Sequence, residues 1–134
     1  LIPLGEVAGR VSRGIRRFLE RYGYWLTILT LTAITVASLM PRGSPGDPGA
    51  VGVPDGLAHV VAYATVVFFP AATPSVLLRW PVGSILAWGL ALELLQLLIG
   101  RSASLMDIAA NAAGVIVGLT IGYLLRRALL RLSE

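Results

Sequence analysis

The residues of this sequence whose types could do chemistry fall into three short groups. Asp55, His59 and Tyr63 follow one another at four-residue steps, which places them on one stripe of a helix. Glu93 and Gln96, three apart, share a face of a second segment, and Asp107 and Asn111, four apart, open a third. Arg101 stands in the short loop between the last two. In this set His59 can serve as a general base or metal ligand, Glu93 as an acid or base, and Arg101 as a clamp on phosphate. His59, Glu93 and Asp107 also offer the three N/O ligands of a catalytic metal site. They come from three separate segments without a local metal-ligand spacing, so neither a metal nor another cofactor is expected. No nucleophile motif accompanies them, and the chain has no cysteine, which excludes disulfides and thiolate chemistry.

The elements that must hold these residues are apolar. Of 134 residues 56% are hydrophobic and 13% charged, and the mean hydropathy is +0.80. Soluble domains carry about 25% charged residues, so water is not the main solvent here. Nucleic-acid domains, disordered chains and pocket-bearing soluble enzymes are excluded on the same ground. Four apolar stretches stand out, about Gly23 to Met40, Leu57 to Thr73, Val82 to Gly100 and Asp107 to Leu125. Each is near the roughly 17–25 residues that cross a hydrocarbon core as a helix. The second is the shortest and contains Pro70, where a kink or tilt is expected. The expected fold is an all-α, integral membrane four-helix bundle with an N-terminal interfacial amphipathic helix. By domain, residues 1–22 form the amphipathic segment, 23–125 the four-span unit and 126–134 a basic tail.

All eleven cationic side chains are arginine, and they orient the bundle. Arg10, Arg13, Arg16, Arg17, Arg21, Arg79, Arg126, Arg127 and Arg131 share one side, leaving Arg42 and Arg101 on the other. The positive-inside rule then puts both termini in the cytoplasm. Within residues 6–22, Val7, Val11, Ile15, Phe18, Leu19 and Tyr22 line one face of a helix and the five arginines the other. That is the pattern of a helix lying among anionic headgroups. A signal peptide ending near Val36-Ala37-Ser38 is the competing reading, disfavoured by the long span and the Pro41-Arg42 that follows. A start at leucine reads as a fragment or a processed end. The glycine- and proline-rich stretch Pro41 to Pro54 reads as an extracytoplasmic linker.

Depth separates the polar residues from ordinary solvation. A charge at a span centre costs about 2.5–3.5 kcal/mol on insertion scales. His59 and Asn111 lie near the outer ends of their spans, and Glu93 lies roughly 10 Å below the outer end of its own at 1.5 Å per residue. Three spans thus concentrate their polar residues in the outer half of the membrane. Asp107, Asn111, Gly114, Gly118 and Gly122 fall within an arc of about 80° at 100° per residue. The glycines have the small-residue spacing of close helix packing, so the polar end of that span turns into the bundle. Gly89, four before Glu93, does the same for the third span. The expected functional cluster is therefore His59, Glu93, Gln96, Arg101, Asp107 and Asn111, with Asp55 and Tyr63 at its edge and Gly114, Gly118 and Gly122 packing the helices. Residue by residue, Asp107 also reads as an N-cap with Ser104 as competitor. Tyr24, Trp25, Trp80 and Tyr123 read as interface or packing aromatics.

Pro54-Asp55-Gly56-Leu57-Ala58-His59 with Ala62-Tyr63 resembles the second-span motif of the VanZ-like family. Leu92-Glu93-Leu94-Leu95-Gln96, Gly100-Arg101-Ser102-Ala103-Ser104, and Asp107 to Asn111 with Gly114 resemble its second block. The likeness covers about half the chain, Asp55 to roughly Gly118, and rests on the ordered set rather than on any one element. The family commonly has lysine after the first aspartate, where this chain has Gly56. The family is named for a membrane protein of low-level teicoplanin resistance. The resemblance therefore implies work at the outer face of a bacterial cytoplasmic membrane, by a multi-pass protein among membrane lipids. Its expected partner is an envelope lipid, a cell-wall precursor or a glycopeptide, and nucleic acid is not expected. An intramembrane enzyme acting on lipid-linked envelope substrates, or a structural accessory protein, is the alternative.

Overall fold

The computed structural model describes residues 3–40, 52–77, 79–98 and 105–133. Their regular structure is helical throughout: α1 (Leu4–Leu39), α2 (Asp55–Ala72), α3 (Arg79–Leu98) and α4 (Leu105–Ser133). All four are long and apolar enough to cross a membrane. The molecule is an all-α four-helix bundle with many leucine, isoleucine, valine and tryptophan side chains exposed on its surface. Arg42, Arg101 and most of the Pro41–Pro54 stretch lie outside the described residues.

Prolines punctuate the helices where their missing N–H costs least. Pro3 and Pro54 occupy the N-cap positions of α1 and α2, and Pro81 lies in the first turn of α3. Pro70 lies in the closing turns of α2, which runs unbroken through it to Ala72. Thr73 then caps that end twice, its backbone N–H and its hydroxyl both donating to the Phe69 carbonyl.

The seam between α2 and α4 is the backbone of the bundle. Gly114, Gly118 and Gly122 meet successive turns of α2 at Val60, Ala64 and Phe68. A Cβ placed on Gly114 would stand 2.5 Å from the Val60 carbonyl oxygen, and one on Gly122 2.8 Å from that of Phe68. At Gly118 the Ala64 carbonyl is closer still. Without side chains the two backbones approach closely, where dispersion and Cα–H···O contacts replace the hydrophobic drive that lipid does not supply. Around the seam Tyr63, Val66, Val67, Ile85 and Val115 form the main core, joined by Leu31 and Ile34 of α1. α3 touches the rest of the bundle most lightly.

At 1.5 Å per residue α2 and α3 are roughly 27 and 30 Å long, close to the hydrocarbon thickness of about 30 Å. α1 and α4 are longer, at 36 and 29 residues. Residues 4–22 and 126–133 are continuous with α1 and α4 and pair with each other. The Ser12 hydroxyl donates to the Leu129 carbonyl at 2.7 Å, Gly9 abuts the Leu132 carbonyl, and Leu19 packs with Ala72 and Leu129. The first half of α1 consequently has three faces. Gly9, Ser12 and Leu19 are buried, Val7, Val11, Ile15, Phe18 and Tyr22 are exposed, and the arginines take most of the third face. Arg126 also departs from a purely surface role, donating to the Val76 carbonyl at 3.3 Å.

Candidate functional site

The opposite end of the bundle gathers the polar residues. His59 lies on the second turn of α2, Glu93 on the last turns of α3 and Asp107 on the first turn of α4. Ligand atoms of these three side chains all lie within 4.8 Å of one another. Residues 34 and 48 positions apart in sequence are thus one constellation. No local spacing signals it, because each helix contributes a single member. Asn111, one turn beyond Asp107 on α4, touches the His59 ring, its Oδ1 lying 2.8 Å from Nδ1. With Nδ1 so engaged, Nε2 is the ring nitrogen available to a ligand, provided Nδ1 carries the proton that Asn111 accepts.

Burial grades the three. Glu93 is 3% exposed, whereas His59 and Asp107 are half-buried. The carboxyl of Glu93 therefore forms the floor of the cluster and the other two its mouth. Asp107 is the third residue of α4 and so lies within the first turn; the helix starts at Leu105, and Asp107 is not its cap. Its side chain lies at the positive end of the helix dipole.

Gln96 stands with the cluster on α3 but does a different job. It is 5% exposed, and its Nε2 donates 3.0 Å to the Ser38 carbonyl in the last turn of α1. That carbonyl is one of those an ending helix leaves without an internal donor, so Gln96 ties α1 to α3 at the level of the site. Tyr63 is not at the margin: it is 4% exposed and belongs to the main core. A Cβ on Gly89 would meet its hydroxyl at 2.5 Å, so Gly89 is what lets the ring lie flat against α3. Asp55, half-buried, is the first residue of α2, one turn above His59. Arg101 lies outside the described residues.

Two features were not singled out in the sequence. Trp88 Nε1 donates to the Thr35 hydroxyl at 2.9 Å, a second tie between α3 and α1. An apolar cleft of about 90 Å³ opens beside the cluster, lined by Tyr63, Leu86, Gly89, Leu90, Ile108 and Asn111. Asn111 belongs to both, contacting His59 on one side and the cleft on the other. The only sequence signal for it is Gly89, whose lack of a side chain keeps the wall between α3 and α4 thin.

The arrangement thus sets a polar cluster at one end of the bundle beside an apolar crevice. The cluster offers an imidazole, two carboxyl groups and an amide, and a carboxylate of this kind can accept hydrogen bonds or bind a cation. Comparison of the chain with protein-family models, with curated proteins and with solved structures found no match.

Proposed function

We propose that this chain is a VanZ-like polytopic protein of the bacterial cytoplasmic membrane that binds the headgroup of an envelope lipid at the His59–Glu93–Asp107 cluster. The observation that carries the reading is the convergence itself. Three helices of a very apolar molecule each spend a costly polar residue at one point, and all three ligand atoms lie within 4.8 Å. Interhelical hydrogen bonds in a membrane are worth only about 0.6 kcal/mol on average. Holding helices together is therefore a small return for burying a carboxyl, and the α2–α4 seam already holds them by glycine packing. The adjoining cleft suits the other half of the same ligand, since its walls are the apolar side chains of Leu86, Leu90 and Ile108. A polar cluster beside an apolar crevice matches an amphipathic molecule with a polar headgroup and an apolar tail. The ordered motif from Asp55 to Gly114 supports the VanZ-like assignment. Nine arginines at the end carrying the termini support a cytoplasmic location for both, with the cluster facing outward.

Two measurements test this. A reporter fused to the C-terminus is expected to read cytoplasmic, and a periplasmic reading overturns the orientation. In nanodiscs, the intact chain is expected to retain a polyprenyl phosphate probe that His59→Ala and Glu93→Gln release. Equal retention by all three removes the site. The second reading, an intramembrane enzyme on lipid-linked substrates, is favoured by the proximity of His59 to two carboxyl groups, an acid–base set. Turnover of the retained probe distinguishes it from binding alone.

A further inference from the structure

We propose that His59, Glu93 and Asp107 coordinate a divalent transition-metal ion, with Asn111 setting the histidine tautomer. The inference rests on reading the cluster as a ligand-binding site and names what completes it. Its first support is the donor set. One imidazole nitrogen and two carboxylate oxygens, from three different helices, are the three protein ligands of an open metal site, which leaves a further position for an exogenous group. Mixed N/O donors of this kind suit zinc, manganese or ferrous iron rather than soft monovalent metals.

The second support is geometric. Ligands of a tetrahedral ion at bond lengths of about 2.0–2.2 Å stand roughly 3.3–3.6 Å apart. The three side chains offer atoms within 4.8 Å of one another, so rotation about side-chain bonds closes the site without moving a helix. Asp107, half-buried in the first turn of α4, is the one with room to do so.

Asn111 gives the third. Metal-bound histidines characteristically donate their second ring N–H to an oxygen, which fixes the ring and directs the other nitrogen to the ion. The Asn111 Oδ1, 2.8 Å from His59 Nδ1, is such an oxygen. Asn111 is itself 6% exposed and held on the same α4 face as Gly114 and Gly118. The ring is therefore oriented from outside the trio.

The charge balance makes the ion useful. Among the described residues the cluster presents one imidazole and two carboxyl groups, with no guanidinium, to the phosphate of an anionic headgroup. A bound divalent ion adds positive charge there and supplies an open coordination position for a phosphate oxygen. Metal and lipid are then linked: the metal is the part of the site that an anionic headgroup touches.

The test uses the full chain in nanodiscs, stripped with EDTA and titrated calorimetrically with Zn²⁺. The expected result is one ion per chain. Glu93→Gln and Asp107→Asn are each expected to weaken it at least tenfold, and Arg79→Gln to leave it unchanged. Co²⁺ in place of Zn²⁺ reports the coordination directly, its visible absorption appearing with the intact chain and fading in Asp107→Asn. Asp107→Asn keeps the size of a half-buried side chain, so unchanged helicity and melting separate lost ligation from lost folding. No saturable binding, or binding indifferent to both substitutions, overturns the metal site. Retention of polyprenyl phosphate in EDTA as strong as with Zn²⁺ overturns it too, while leaving lipid binding intact. Stoichiometric Zn²⁺ binding without lipid retention upholds the metal site and overturns the lipid reading instead.

Discussion

The two ends of this bundle handle charge in opposite ways. At the end carrying the termini, the charged side chains of α1 stand on the surface. Arg10 pairs with Glu6 and Arg16 with Glu20 along the helix, the first pair well exposed and the second partly so. What lies buried there is small or apolar, namely Gly9, Ser12, Leu19 and Leu129. At the other end the arrangement is inverted: Glu93, Gln96 and Asn111 are inside, and the exposed residues around them are Leu94, Leu95, Leu97 and Leu98. Exposed ion pairs contribute little to stability, about 0–1 kcal/mol. Buried polar groups cost free energy in an apolar surrounding, so their retention calls for an explanation. One end thus keeps its charge on the surface, and the other keeps its polar groups inside.

Between the ends the glycine seam holds both, and breaking it is expected to have the largest effect. Gly118→Leu sets a side chain against the backbone of Ala64, which cannot rotate away. Loss of about 3 kcal/mol or more is expected, read as failure to accumulate in membranes and as early aggregation on heating in detergent. Full accumulation of this variant would mean that the seam is looser than the contact requires.

The next effect separates the ends by function. In a bacterial host lacking a relative, the intact chain is expected to change glycopeptide susceptibility, and Glu93→Gln to abolish the change at equal membrane abundance. Arg79→Gln, exposed at the other end, is expected to retain it. Equal effects of the two substitutions would erase the contrast between the ends. If Glu93→Gln simply fails to accumulate, the buried carboxyl is architectural.

Proximity at the polar end has a direct check. Cysteines introduced by His59→Cys and Glu93→Cys are expected to crosslink in membranes with a short bifunctional reagent, whereas Phe18→Cys with Glu93→Cys is not. Absence of the first crosslink would separate α2 from α3 where they are now joined. The smallest effect belongs to the end with the termini: Ser12→Ala removes the hydrogen bond to Leu129 and is expected to cost about 1 kcal/mol. Thermal melting of the purified chain measures it, and the lipid-binding readout is expected to stay unchanged.

Much of this architecture is legible in the residues themselves. Helix number and type follow from apolar runs of spanning length, because hydrocarbon forces each segment to satisfy its own backbone polar groups. The inward face of α4 follows from Gly114, Gly118 and Gly122 at four-residue steps, since small residues mark where another helix comes near. The limits of α1 and α4 are less legible. Residues 4–22 carry the polarity of a surface helix, and nothing local tells whether such a helix bends away at Gly23 or continues. It continues because Gly9 and Ser12 find the Leu132 and Leu129 carbonyls of α4, a contact 117 residues away in the case of Ser12.

The candidate site divides in the same manner. Polarity in an apolar span singles out His59, Glu93, Gln96, Asp107 and Asn111 one by one, because desolvation cost is a property of a residue and its immediate neighbours. Which of them share a point is a matter of helix rotation and depth, and these are settled only when the helices pack. Packing brings His59, Glu93 and Asp107 within 4.8 Å of one another, turns Gln96 to the end of α1 and sinks Tyr63 into the core. Sequence alone thus determined that this is a helical chain for a bilayer with misplaced polar groups at one end. Tertiary structure decided which of those groups meet, since rotation of each helix about its axis is fixed by contacts with its neighbours and not by its own residues.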